Sequence, residues 1–142
     1  MASPASNSGV LAPPDAPAAL SLLLIDDHDD TREGLRRLLG HRGYQVLAAG
    51  TCAEALALAG RMSAGRLDVI ISDVGLPDGD GVELMTLIKA RHGCRSVALT
   101  GFGDQDDLRR YAQAGIDHCL VKPIDLSALM SALNAMARER RI

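Results

Sequence analysis

Five side chains in this sequence are of types that could act together: Asp26, Asp27, Asp73, Thr100 and Lys122. Each stands at the end of a short apolar run. Leu20 to Ile25 runs into Asp26-Asp27, Leu67 to Ser72 into Asp73, Ser96 to Val97-Ala98-Leu99 into Thr100, and Ile116 to Val121 into Lys122. Any one of them alone is an ordinary cap or turn residue, but all of them at strand ends form a pattern. Three carboxylates brought together repel one another unless a cation or a proton relieves them. An all-oxygen set without Cys or His suits a hard ion such as Mg²⁺, with Mn²⁺ able to replace it, better than zinc. A lysine ammonium and a threonine hydroxyl suit phosphoryl oxygens. Asp73 can then act as a nucleophile, since a carboxylate attacking phosphorus gives an acyl phosphate, while the surrounding charges stabilise the phosphoryl oxygens.

The elements that would position these groups follow from periodicity. The runs at Leu20–Ile25, Tyr44–Ala49, Leu67–Ser72, Ser96–Thr100 and Ile116–Val121 read as five strands. Between and after them come helical patterns: Leu35, Leu38 and Leu39 closed by Gly40 and Gly43; Ala53 to Met62 opened by Thr51; Val82 to Lys89; and Asp104 to Ala114 stopped by Gly115. A last helix is capped by Asp125, with Leu126, Leu129, Met130, Leu133 and Met136 on one core-facing stripe. Strands alternating with helices predict an α/β fold, a doubly wound five-stranded parallel sheet with five helices. In such a sheet all the strand ends that carry these groups lie on one edge, where ligands bind. After Asp73 the glycines and proline of Gly75-Leu76-Pro77-Asp78-Gly79-Asp80-Gly81 predict a tight loop leading into a helix.

Composition excludes several classes. The chain has 142 residues, enough for one domain with a real core, and a formal charge of −3, which disfavours a nucleic-acid partner. Its apolar runs fall well short of the ~20 residues that span a bilayer, so no membrane contact is expected. Cys52, Cys94 and Cys119 are odd in number and lack CxxC spacing, which predicts reduced thiols in a cytoplasmic protein. Residues 1–19, rich in Ala, Pro and Ser, are expected to be a disordered tail or linker, and residues 20–142 the folded domain. A linker connects things, so the domain is expected to have been part of a longer protein.

Taken together, Asp26-Asp27, the Asp73 loop through Gly81, Thr100-Gly101 and Lys122-Pro123 resemble a response-regulator receiver domain over Ser21 to Arg138. The resemblance implies a flavodoxin-like (βα)5 fold with strand order 2-1-3-4-5. It implies that Asp73 accepts a phosphoryl group from a phosphohistidine on a histidine kinase or histidine-phosphotransfer protein. Asp27, Asp73 and the backbone carbonyl of Gly75 would bind Mg²⁺ directly and Asp26 mostly through water, with Thr100 and Lys122 holding phosphoryl oxygens. The Lys122-Pro123 peptide would be cis and aim the ammonium inward. Such a domain catalyses its own phosphorylation and dephosphorylation and is not a turnover enzyme. Signalling would shift populations on a surface around the fourth helix, fifth strand and fifth helix, a surface that also serves dimerisation in the family. The wording of Asp73-Val74-Gly75-Leu76-Pro77-Asp78-Gly79 and of Ala98-Leu99-Thr100-Gly101-Phe102-Gly103 resembles receivers of hybrid sensor histidine kinases, or else a single-domain regulator.

Two departures stand out. Cys119 occupies the position of the family's aromatic switch residue, and a thiol is too small to act as the same latch. Gly75 lacks a side chain to orient water and Phe102 is expected to cover the phosphoryl group, so a long-lived phosphoaspartate is expected. His28, beside the acid pair, is expected to border the site or meet a partner rather than to ligate metal. His41, His92 and His118 are expected to be surface or loop residues. The rival functions are a Mg²⁺-dependent phosphohydrolase, for which no additional acid or base is evident, and a phosphorylation-independent adaptor, which has no need of a charged pocket.

Overall fold

The computed structural model describes residues 20–101 and 108–140. Five parallel strands form one sheet: β1 (Ser21–Ile25), β2 (Gln45–Ala49), β3 (Val69–Asp73), β4 (Arg95–Thr100) and β5 (His118–Val121), in the order β2-β1-β3-β4-β5. Five helices lie between and after them: α1 (Asp29–His41), α2 (Cys52–Arg61), α3 (Gly81–His92), α4 (Leu108–Gln113) and α5 (Leu126–Arg140). This is the expected doubly wound architecture and the expected strand order. The expected helix over 104–114 is described only from Leu108; its first turn, Phe102 and the tail 1–19 lie outside the described residues.

The pleat sends alternate residues of the central strands to opposite faces. Leu22, Leu24, Val69, Ile71, Val97 and Leu99 pack on one side, with Leu39 of α1 and Leu129, Leu133 and Met136 of α5. Leu23, Ile25, Ile70 and Ala98 pack on the other, with Ala55 and Ala59 of α2 and Leu84, Met85 and Ile88 of α3. Both faces of β1 and β3 are therefore dry, which is why their sequences read as unbroken apolar runs. The stripe on α5 is core, as expected.

Helix starts are built from side chains that the sequence places there. Thr51 accepts from the Glu54 N–H at 3.1 Å while Glu54 accepts from the N–H of Gly50, the residue before the cap, at 2.8 Å. Asp125 accepts from the Ser127 N–H at 2.9 Å, as its position predicted.

The tight loop expected after Asp73 is a short hairpin: Gly75–Leu76 and Gly79–Asp80 pair antiparallel, with Pro77-Asp78 making the turn. The expectation for His92 is corrected. His92 is neither a surface nor a loop residue. It is buried in the last turn of α3, with Nε2 2.9 Å from the Ala59 carbonyl and Nδ1 accepting from the Leu67 N–H at 3.3 Å. It satisfies backbone groups of the α2 end and the β3 approach that burial would otherwise orphan. His41 closes α1 exposed, and His118 is half-buried on β5.

Gly81 is the tightest point of the fold. Its N–H donates to the Val74 carbonyl at 2.7 Å, and a Cβ there would lie 1.9 Å from the Asp73 carbonyl oxygen. The obstacle is backbone, so relief requires moving the end of β3. Gly81→Ala is therefore expected to lower stability by about 1–3 kcal/mol in urea unfolding followed by circular dichroism. An unchanged midpoint would show that the end of β3 yields without cost.

Candidate functional site

Parallel pairing brings the ends of β1, β3, β4 and β5 to one edge, and with them the residues singled out above. Asp26 is fully buried, its N–H continuing the sheet by donating to the Ala49 carbonyl at 3.1 Å. Asp73 is 4% exposed, whereas Asp27 stands at the surface. Lys122 reaches across from the end of β5, its Nζ 2.7 Å from Asp73 Oδ1 and 3.3 Å from Asp26 Oδ2. The contact with Asp73 is an ion pair without hydrogen-bond alignment, so that buried oxygen accepts no hydrogen bond. The Lys122 N–H donates to the Thr100 carbonyl at 2.8 Å, and the Lys122-Pro123 peptide is cis. Asp27, Asp73 and Lys122, with His28, Val74, Gly75, Leu99 and Gly101, line an open cleft of about 240 Å³.

The charges are not independent. Burial pushes the Asp73 carboxyl up to about 7; Lys122 pulls it down, and the hydrogen bond and charge of Asp26 push it up again. Burial also works against an ionised Asp26. There the His28 N–H, the hydrogen bond with Asp73 and the Lys122 charge prevail and hold it below its ordinary value. Burial disfavours the ammonium of Lys122, yet the two carboxylates raise its pKa. Below about pH 7 the pair therefore keeps one proton, on Asp73, which a bound cation would displace. The ligand set fits such a cation: oxygens of Asp26, Asp27 and Asp73 and a ring nitrogen of His28 lie within 4.8 Å of one another.

Thr100 is buried at the end of β4, its hydroxyl donating to the Leu120 carbonyl at 3.4 Å rather than into the cleft. Gly75 is exposed, with open space where a Cβ would stand. Cys119 is half-buried on β5 against the α2–α3 side of the core, and burial raises its thiol pKa. Pro123 follows Lys122 at the surface.

Several supporting residues were not legible in the sequence. Arg32 donates to the Asp26 carbonyl at 2.8 Å and to Asp29 at 2.7 Å, fixing the turn that carries the acid pair. Asp78 accepts from the N–H groups of Cys52 and Ala53, at 2.7 and 3.0 Å, and so pins the loop after β3 to the first turn of α2. Asp80 caps α3 through the Val82 N–H at 2.8 Å and is also ion-paired with Arg110 of α4. An aspartate preceding a helix signals a cap, but nothing in the sequence links Asp78 to a helix 25 residues earlier. Burial, reinforced by Asp78, pushes the Cys52 thiol up to about 11, so it is no nucleophile. A second cleft, at the opposite sheet edge beside Leu20, Leu67 and Met136, gathers no comparable cluster among the described residues: His92 is engaged with backbone, Asp68 with the Ser21 N–H and Glu139 with Arg95. No helix among the described residues is long and apolar enough to cross a membrane.

The model of the response regulator receiver domain family matches residues 22–134. The virulence sensor protein BvgS of Bordetella pertussis is 34% identical over 96% of this chain, which spans 12% of that protein. The sensor histidine kinase RcsC of Salmonella typhi is 32% identical over 86% of this chain, which spans 13% of it. Among solved structures, a response regulator receiver domain protein from Clostridium thermocellum superposes with a TM-score of 0.79 at 27% identity, over 86% of this chain and 97% of that one. A response regulator protein from Burkholderia pseudomallei, crystallised with a phosphorylated aspartic acid, a calcium ion and citrate, gives 0.73 at 29% identity, over 86% of this chain and 71% of that one.

The raised Asp73 pKa sets a pH dependence. Between about pH 4 and the native value of about 7, the folded protein holds a proton that the unfolded chain has released. The resulting stability is complete below the unfolded pKa and is lost as pH rises through the folded one. With divalent cations chelated, Asp73→Asn should remove this decline and be more stable than the parent above neutrality. Urea midpoints of both proteins across this window check it, the difference between them isolating Asp73 from the histidines. Parallel curves would contradict the assignment.

Proposed function

Because the chain belongs to the response regulator receiver domain family, we propose that Asp73 accepts a phosphoryl group from the phosphohistidine of a histidine kinase or histidine-phosphotransfer protein. The observation that carries this reading is the buried Asp73 oxygen that accepts no hydrogen bond, 2.7 Å from Lys122 and beside the acid pair. A carboxylate oxygen of Asp73 attacks phosphorus, a P–O bond forms, the P–N bond to the donor imidazole breaks, and the ring leaves as the neutral base once protonated. Lys122 holds one phosphoryl oxygen.

Asp27, Asp73 and the Gly75 carbonyl would hold Mg²⁺, or Mn²⁺ in its place. Asp26 would act through water, since the His28 N–H and Lys122 already engage its two oxygens, at 2.9 and 3.3 Å. Such an ion neutralises the carboxylates and the phosphoryl oxygens when bound. The calcium ion and phosphorylated aspartic acid of the Burkholderia pseudomallei relative support a hard cation and an aspartyl phosphate in a fold of this kind.

Thr100 supplies the switch. Its hydroxyl must leave the Leu120 carbonyl to reach a phosphoryl oxygen, which couples the end of β4 to β5 and biases the α4–β5–α5 surface as a population shift. That surface is also where a second copy would dimerise. With Cys119 in place of an aromatic residue, this movement rests on Thr100 rather than on a side chain swinging in from β5. The two sensor relatives support a place in a hybrid kinase or phosphorelay.

Intact mass after incubation with acetyl phosphate and Mg²⁺ tests the chemistry. A gain of about 80 Da (one phosphoryl group) is expected in the parent protein, and none in Asp73→Ala or without Mg²⁺. A gain that persists in Asp73→Ala, or turnover of a phosphate ester, would overturn the reading, as would partner binding unaffected by Asp73→Asn. The open space at Gly75 further predicts slow release, since nothing there orients water. Gly75→Asn should shorten the phosphoaspartate lifetime severalfold, followed by the decay of the mass shift. Decay within seconds in the parent protein, or equal lifetimes, would refute this.

A further inference from the structure

We infer that His28 is a nitrogen ligand of the divalent-cation site and extends it from hard ions such as Mg²⁺ to borderline ions such as Zn²⁺. The inference rests on the cation site proposed above and adds a residue and a metal preference to it. Its first support is the position of the ring. Nδ1 lies 3.3 Å from Asp27 Oδ1, a separation at which two ligand atoms flank one ion, and is held there by its hydrogen bond to Asp26 Oδ1 at 3.2 Å. A ring nitrogen of His28 and one oxygen from each of Asp26, Asp27 and Asp73 lie within 4.8 Å of one another. Metal–ligand bonds of about 2.0–2.2 Å span about this distance across an ion once the ligands draw in slightly.

A second support is local. His28 is the N-cap of α1, with extended backbone (φ −89°, ψ 110°), where Ser, Thr, Asp or Asn would bond the first turn. Its side chain makes no cap bond and instead turns back over the acid pair. A third comes from the other donors. Both oxygens of Asp26 are engaged, by the His28 N–H and by Lys122. Asp73, whose buried Oδ1 meets only the Lys122 ammonium at 2.7 Å, brings a carboxylate oxygen within 4.8 Å of the other donors. With Asp27 and Asp73 as the direct carboxylates, the imidazole is the third side-chain donor in reach. Imidazole adds little for Mg²⁺, which favours oxygen, and much for Zn²⁺. The ring is 69% exposed, so its removal leaves the core untouched.

The test is calorimetric titration of the parent protein and His28→Ala with Mg²⁺ and, separately, Zn²⁺. Mg²⁺ affinity should stay within about twofold while Zn²⁺ affinity falls by about tenfold or more. In the parent protein, Zn²⁺ should also move the ¹⁵N resonance of the His28 ring, assigned by its absence from His28→Ala. Equal losses for both ions would make His28 a hydrogen-bond donor to the acid pair and overturn the inference, as would an unmoved ring resonance. Failure of the parent protein to bind Mg²⁺ would bring down the cation site itself. Mg²⁺ binding with no dependence of Zn²⁺ on His28 would bring down only this assignment.

Discussion

Two carboxylates, Asp26 and Asp73, are buried side by side at the end of a parallel sheet, and the rest of the site answers to their repulsion. Water would screen such a pair, but the flanking strands exclude it, so the relief has to come from the protein or from what it binds. Lys122 supplies one positive charge within 3.3 Å of both. A proton supplies the rest, which is why Asp73 titrates near neutrality while Asp26 is held low. A group so poised is receptive to a cation and, once the cation displaces the proton, nucleophilic. The electrostatic strain of the resting site and its reactivity are two aspects of one arrangement.

Holding that arrangement requires the loop after β3 to be rigid, and the fold ties it in three directions. Gly81 lets α3 begin against the Asp73 carbonyl, an approach that any side chain would block. Asp78 fastens the loop to the N-terminus of α2, where the helix dipole favours a carboxylate. Asp80 joins the start of α3 to α4 through Arg110. On the opposite side of the cleft, Arg32 holds the Asp26 carbonyl. The nucleophile thus sits on a rigid strand end, while Thr100, whose hydroxyl would respond to it, ends the neighbouring strand.

Thr100 and Cys119 suggest how a change at Asp73 would be transmitted here. The Thr100 hydroxyl is bonded to Leu120 in β5, so turning it toward the cleft breaks a link between β4 and β5. Cys119, the residue before Leu120, is small and half-buried among apolar neighbours, and its raised thiol pKa makes it packing rather than chemistry. Transmission through this chain then depends on backbone and hydroxyl displacement, with little help from side-chain volume on β5.

The sequence by itself determined the sheet and which residues meet at its edge. Apolar runs such as Val69-Ile70-Ile71 have only one stable place, a strand dry on both faces, and parallel strands must end together, so Asp26, Asp73, Thr100 and Lys122 share an edge whatever else happens. Local caps at Thr51 and Asp125 were equally legible, because a cap acts within a few residues of itself. What only the tertiary structure decided are relations between distant segments: Asp78 on the start of α2, Asp80 with Arg110, His92 buried between Ala59 and Leu67, and the short antiparallel pairing after Asp73. The His28 ring, turned onto the acid pair, is likewise a matter of rotamer and neighbours. Such contacts depend on where two helices come to rest and on which polar groups burial would leave unpaired, and neither quantity exists until the chain has packed.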